Sequence, residues 1–153
     1  MLLRFLRWAV ADRRLPDVLI GGPEQPYLAR WHVLPRNNWL NIYVHLFLRS
    51  DDARALHDHP YANASLLLEG YYDEYTADGV TRRRPGTLYF RRAAMAHRVQ
   101  LLRDVTGREQ PVWTLFLTGP RVREWGFHCP QGWRHWRDFT AGERGEVIGR
   151  GCD

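Results

Sequence analysis

The sequence predicts an all-β domain, an antiparallel sandwich or barrel preceded by one N-terminal helix. Three observations support this fold class: short β-like runs follow one another along most of the chain, turn-forming clusters separate them, and helical spacing of apolar residues is convincing only near the N-terminus. With 153 residues and 44% hydrophobic content, the chain has enough apolar material for one core. We therefore expect a single domain.

The elements are predicted in chain order from these patterns. Residues 2–12 carry apolar side chains at helical spacing, and a turn-rich stretch follows at residues 20–26. We divide the chain into the helix and its connecting segment (1–25), a barrel (26–139), and a glycine-rich, charged tail (140–153) that we expect to be flexible. The candidate strands cover residues 27–34, 40–48, 55–59, 62–69, 71–75, 86–90, 97–102, 112–117 and 122–127.

The charge and cysteine content narrow the choice of partners and compartment. The net charge is +5 and all 22 basic residues are arginine, but they are spread along the chain, so we do not expect nucleic-acid binding. The densest arginine cluster lies at residues 82–84 and 91–92. It either binds phosphate or carboxylate groups or forms a solvated rim at the strand ends, and we favour the solvated rim. Without a bilayer-length apolar run or a signal-peptide pattern, we expect a cytoplasmic protein that binds no membrane. Cys129 and Cys152 lie far apart in sequence, and we expect free thiols.

A histidine pair points to a metal site. In a strand, His57 and His59 project to one face while Asp58 projects to the other, so that one strand offers two imidazoles to one ion. His97 begins another β-like run and is the best candidate for a third ligand. Imidazole suits several transition metals, and three histidines leave coordination positions open.

The spacing around these histidines resembles the two motifs of the cupin superfamily. The first cupin motif has His-x-His, three or four residues, Glu, six residues and Gly; here His57 and His59 are followed at this spacing by Asn63 and Gly70. The second motif begins with Gly and reaches its His eleven positions later, as Gly86 and His97 do. The resemblance covers roughly residues 51–101 and implies a jelly-roll barrel with the metal inside.

The departures from the motifs shape the expected ligand set. Asn63 stands where the motif has its glutamate ligand, so we expect three histidines alone. That set resembles the thiol dioxygenases, a cupin branch that binds ferrous iron with three histidines. The resemblance implies Fe(II), while Zn, Ni, Mn and Cu would also suit the ligands.

Four further residues are predicted to work near the metal. Counting by twos from His59 places Tyr61, Asn63 and Glu69 on the inner face, Tyr61 as a candidate catalytic group and the other two as a fourth ligand position or pocket wall. His128 is a second candidate catalytic group, an acid or base within the aromatic-rich segment 124–139. That segment forms either a lid over the pocket or a hydrophobic clasp that seals the barrel. We favour the clasp.

Three function classes remain open from the sequence. We expect an Fe(II)-dependent dioxygenase acting on a small organic molecule. A non-catalytic metal- and ligand-binding domain is the second hypothesis, and a metal-dependent isomerase or lyase, with His128 or Glu69 as the base, is the third. Cupins often dimerise through sheet faces, so the resemblance leaves a homodimer open.

Overall fold

The computed structural model describes residues 2–22, 24–142 and 147–153. In these ranges, helices α1 (Leu2–Val10) and α2 (Trp136–Phe139) flank twelve strands, and neither helix could cross a membrane. The predicted all-β class with an N-terminal helix is confirmed. The strands are β1 (Val18–Ile20), β2 (Leu28–His32), β3 (Asn41–Phe47), β4 (Leu56–His57), β5 (Asn63–Glu69), β6 (Tyr72–Thr76), β7 (Gly79–Arg83), β8 (Leu88–Arg91), β9 (His97–Leu101), β10 (Val112–Thr118), β11 (Gly126–Cys129) and β12 (Gly132–His135).

The strands form two six-stranded antiparallel sheets. The first sheet has the order β1-β2-β3-β10-β5-β8, and the second has the order β12-β11-β4-β9-β6-β7. Because successive side chains of a strand point to opposite sides, the first sheet has an outer face and an inner face. On the outer face, Ala29, Trp31 and Val44 pack with Ala11, just after α1. On the inner face, side chains such as Arg30 and His45 line the interior.

Three strands and α2 lie where the sequence predicts no regular structure. β7 has four exposed residues out of five, so it lacks the alternating apolar pattern that identifies a half-buried strand. The strand predicted at residues 122–127 instead runs from Gly126 to Cys129 and pairs with β12. Gly126 permits this pairing, because a Cβ there would lie 2.1 Å from the carbonyl oxygen of Arg134.

A disulfide joins Cys129 to Cys152, so the prediction of two free thiols is wrong. The prediction of free thiols was based on the distance between the two cysteines in the sequence. In the structure the segment that carries Cys152 folds back onto the barrel and reaches Cys129. The amide of Gly151 donates to the carbonyl of Phe139, and Arg134 donates to the carbonyl of Gly151. Structural disulfides are typical of oxidising compartments, which weighs against the expected cytoplasmic location.

We predict that breaking this disulfide lowers the free energy of unfolding by about 2–4 kcal/mol, because the cross-link restricts the unfolded chain. Urea denaturation of Cys152→Ser and of wild-type protein, each with and without dithiothreitol, measures the effect. Reductant should shift the wild-type midpoint and leave the variant unchanged. Identical midpoints for oxidised wild type and the variant would contradict the prediction.

Candidate metal centre

The three predicted histidines meet between the two sheets. His57 lies directly opposite His97 in the β4–β9 pair, and His59 follows two residues later. One ligand atom from each side chain lies within 4.8 Å of the other two, and Nε2 of His59 lies 2.8 Å from Nε2 of His97. The side chains thus form a group that could hold a metal ion.

The chemistry of these donors fits a transition metal. Burial, the largest cause, lowers the pKa of both His59 and His97 well below the ordinary value, and the neighbouring His57 lowers both further. Both rings are therefore neutral at pH 7, as metal ligation requires. Metal–nitrogen bonds of about 2.1 Å at 90–110° place ligand nitrogens about 3.0–3.4 Å apart, close to the observed spacing of the two Nε2 atoms.

Two carboxylates that the sequence reasoning missed lie behind the histidines. Nδ1 of His97 lies 3.0 Å from Oε1 of Glu74, and Nδ1 of His57 lies 3.8 Å from Oδ2 of Asp51. A carboxylate behind a ligating imidazole fixes the ring and raises its basicity. Here Nδ1 of His97 has no hydrogen bond of acceptable geometry among the described residues, and the His57 contact exceeds hydrogen-bond distance, so both carboxylates act on the rings through their proximity and negative charge.

Glu74 is almost fully buried on β6 and also binds two arginines. Its Oε2 lies 2.6 Å from Arg83, and its Oε1 pairs with Arg91. Burial lowers the pKa of Arg91 to about 9, so its guanidinium remains charged at neutral pH. Arg91 is thus an interior residue rather than part of the solvated rim expected for its cluster. The sequence signal that could have identified Glu74 is its spacing. It lies two residues after Tyr72, which is buried, so both side chains point to the same face of β6.

Asp58 lies on the opposite side of the strand from the histidines, as alternation predicts. Its carboxylate is fully buried, accepts hydrogen bonds from the amide of Gly126 and the indole of Trp133, and lies 2.5 Å from Arg123. Although burial opposes ionisation, hydrogen bonds from Arg123, Gly126 and His128 lower the pKa of Asp58. The carboxylate therefore anchors the β11–β12 hairpin to the strand that carries the ligands.

The histidines open onto an interior cavity of about 380 Å³. Tyr61, a predicted site residue, lines it, and its ring stacks on His59 with the centroids 6.0 Å apart. Burial raises the pKa of the Tyr61 phenol, which stays protonated and can donate a hydrogen bond. Other lining residues are Arg30, Arg91, Phe116, Trp125 and Phe127.

The structure does not bring His128 and Glu69 into this cavity, which corrects both predictions. Phe127 pairs with His57 and faces inward, so His128 points outward and contacts Asp58. A bulge in β5, where Trp113 pairs with Glu69 but Thr114 pairs with Leu67, reverses the alternation. Glu69 consequently points outward and forms an ion pair with Arg7 of α1.

Asn63, the predicted fourth position, is buried on β5, with 1% of its surface exposed. Within the described residues its side-chain amide has no hydrogen-bond partner, and it is not among those that line the cavity. Asn63 therefore keeps the interior position of the motif's glutamate, while its role stays a prediction.

No protein-family model and no curated protein matches the chain. Among solved structures it is similar to KdgF from Halomonas sp., with 17% identity and a TM-score of 0.51 over 72% of this chain and 91% of that one. A candidate mannose-6-phosphate isomerase from Ralstonia eutropha gives 18% identity and a TM-score of 0.51, with 68% and 92% covered. At these identities the likeness is one of fold. The chain has the cupin fold.

Similarity at these identities shows the fold alone. The DMSP lyase DddQ from Ruegeria pomeroyi gives 16% identity and a TM-score of 0.49 over 63% of this chain, which spans about half of that protein's length (49%). The cupin fold hosts unrelated activities, so the reaction has to be inferred from the site itself.

We predict that Glu74→Gln lowers metal affinity about 10- to 100-fold, because the neutral amide no longer places a negative charge behind His97. Competition against a chromophoric chelator with Zn(II) measures this affinity. Asp73→Asn is the matched control, since Asp73 neighbours Glu74 and pairs, among the described residues, with the exposed Arg82. Equal affinities for the Glu74 variant and wild type would show that the carboxylate does not support the site.

We predict that the metal-free protein loses stability as the pH falls from 7.5 to 5. Burial depresses the pKa values of His45, His59 and His97 in the fold, so below pH 6.5 the unfolded chain binds protons that the fold does not. Urea denaturation should show a slope of up to about 1.4 kcal/mol per pH unit for each histidine. His45→Phe should reduce the slope, whereas constant stability over this range would contradict the prediction.

Proposed function

We propose that this protein is a metal-dependent oxygenase that holds Fe(II) with His57, His59 and His97 and acts on a small organic molecule. The supporting observation is the convergence of three imidazoles on an interior cavity of about 380 Å³. Three such ligands leave coordination positions open, and the cavity has room for a small substrate. Iron as the metal rests on the resemblance to three-histidine thiol dioxygenases.

The chain's own groups have separate tasks in this proposal. Glu74 lies behind Nδ1 of His97 and favours metal ligation through its negative charge, and the protonated phenol of Tyr61 donates a hydrogen bond to substrate beside His59. The aromatic side chains of Trp125 and Phe127 limit the entry of water. A ferrous ion at the histidines would supply the redox chemistry that dioxygen activation requires.

The isomerase or lyase alternative loses the bases that it required. Proton transfer needs a group within hydrogen-bond reach of the substrate. His128 and Glu69, the two bases offered by the sequence, both lie outside the cavity, and Tyr61 is held in its protonated form. The names of the similar structures include an isomerase and a lyase. We keep the oxygenase as the proposal because neither base that the sequence offered lies in the cavity.

Metal content provides the first test. Wild-type protein reconstituted anaerobically with Fe(II) should retain about one ion per chain, and replacing His57, His59 or His97 by alanine should remove most of it. His32→Ala is the matched control, because His32 lies on β2 outside the cavity lining. Elemental analysis gives the counts, and a metal-free wild type after reconstitution would overturn the whole proposal.

Oxygen consumption provides the second test. The iron-loaded protein should consume dioxygen with at least one member of a panel of small thiols, organic acids and sugars, as followed with an oxygen electrode. Tyr61→Phe should slow consumption without lowering iron content, because only the donated hydrogen bond is removed. An iron-loaded protein that binds panel compounds without consuming dioxygen would instead support the non-catalytic binding domain.

A further inference from the structure

The cavity wall carries a cation that the metal centre does not use. Arg30 lies on β2, is partly buried, and lines the cavity. In the part of the chain that the structure describes, no carboxylate lies within ion-pair distance of its guanidinium. Its charge is therefore available to a ligand.

His45 holds this cation in one orientation. Nε of Arg30 donates to Nε2 of His45 at 2.9 Å, and the guanidinium carbon lies 4.7 Å from the ring centre of Tyr43. His45 is 3% exposed and stacks between Tyr43 and Phe116. Burial and the charge of Arg30 lower the pKa of His45, which stays neutral and can accept this hydrogen bond. The two terminal nitrogens of Arg30 are not used by this contact.

Three other charged groups that line the cavity, Arg91, Asp51 and Asp52, have partners within the described residues. Arg91 pairs with Glu74, whereas Arg30 is held by a neutral histidine. The carboxylate of Asp51 accepts the phenol of Tyr27, and that of Asp52 is occupied by a bidentate arginine contact. These acids do not neutralise Arg30.

Arg49 also lines the cavity and serves as a comparison for Arg30. Its guanidinium lies 5.6 Å from the ring centre of Tyr27, and its buried Nε has no hydrogen-bond partner among the described residues. No hydrogen bond of Nε fixes the orientation of this cation, so Arg30 is the pre-positioned one.

We propose that Arg30 binds the carboxylate of a small organic acid whose other end faces the three histidines. The inference rests on the proposed function and deepens it, since it names the substrate class of the same site. The terminal nitrogens of a guanidinium form a planar fork that matches the two oxygens of a carboxylate. A phosphate ester presents related oxygen chemistry, and the experiment separates the two.

The test compares binding of butyrate, butyramide and methyl phosphate to metal-free protein by NMR titration. Wild type should bind butyrate about tenfold or more tightly than its neutral amide, as expected for a charged hydrogen-bonded pair. Arg30→Gln should bring the two affinities within about twofold of each other, whereas Arg49→Gln should keep the preference. Arg30→Lys, which keeps the charge but loses the fork, should give an intermediate ratio.

Two results would overturn the proposal: equal wild-type affinities for butyrate and butyramide, or a preference for butyrate that survives Arg30→Gln. Tighter Arg30-dependent binding of methyl phosphate than of butyrate would assign the site to phosphate esters instead. If Arg30→Gln does not fold, the ratio of wild-type affinities for butyrate and butyramide still tests the proposal, together with the same ratio for Arg30→Lys. Because no metal is present, the result stands apart from the metal and oxygen tests of the proposed function.

Discussion

The molecule depends on the alternation of side chains at His57, Asp58 and His59. The two imidazoles face the cavity, and the carboxylate between them is fully buried on the other side against Gly126 and the hairpin that follows. Leaving a buried carboxylate without partners costs several kcal/mol, so the hairpin has to stay docked. The same three residues therefore orient two metal ligands and attach the aromatic wall of the cavity.

Two of the arginines that line the cavity, Arg91 and Arg30, are held in different ways. Glu74 pairs with Arg91 and Arg83 and also lies next to His97, so one carboxylate offsets one of the two positive charges and lies behind a candidate ligand. Arg30 is instead held by His45, a neutral acceptor that leaves the charge uncompensated. Burying a charge is unfavourable unless it is paired with an opposite charge. Arg91 has an anionic partner within the fold, whereas Arg30 has none among the described residues. The paired Arg91 and the unpaired Arg30 therefore differ in how strongly each would favour binding an anion.

Alternating apolar runs predicted the all-β class and the shared face of His57 and His59, because both depend on local spacing. The barrel and the third histidine, His97, were predicted from the resemblance to the cupin motifs. Counting by twos failed at Glu69, since one additional residue in β5 reverses the face and nothing in the local sequence marks the bulge. His128 was misplaced because its face depends on the pairing of β11 with β4, which involves residues seventy positions apart. Glu74, Asp51 and the cysteine pair depend on such long-range contacts too.

The disulfide has a consequence for the metal centre through β11. Cys129 ends the strand in which Phe127 pairs with His57, so the cross-link to Cys152 restrains the neighbour of a ligand strand. Linkage between two equilibria in one molecule is reciprocal. Whatever factor reduction of the bond imposes on metal affinity, a bound metal imposes the same factor on the reduction equilibrium of the bond.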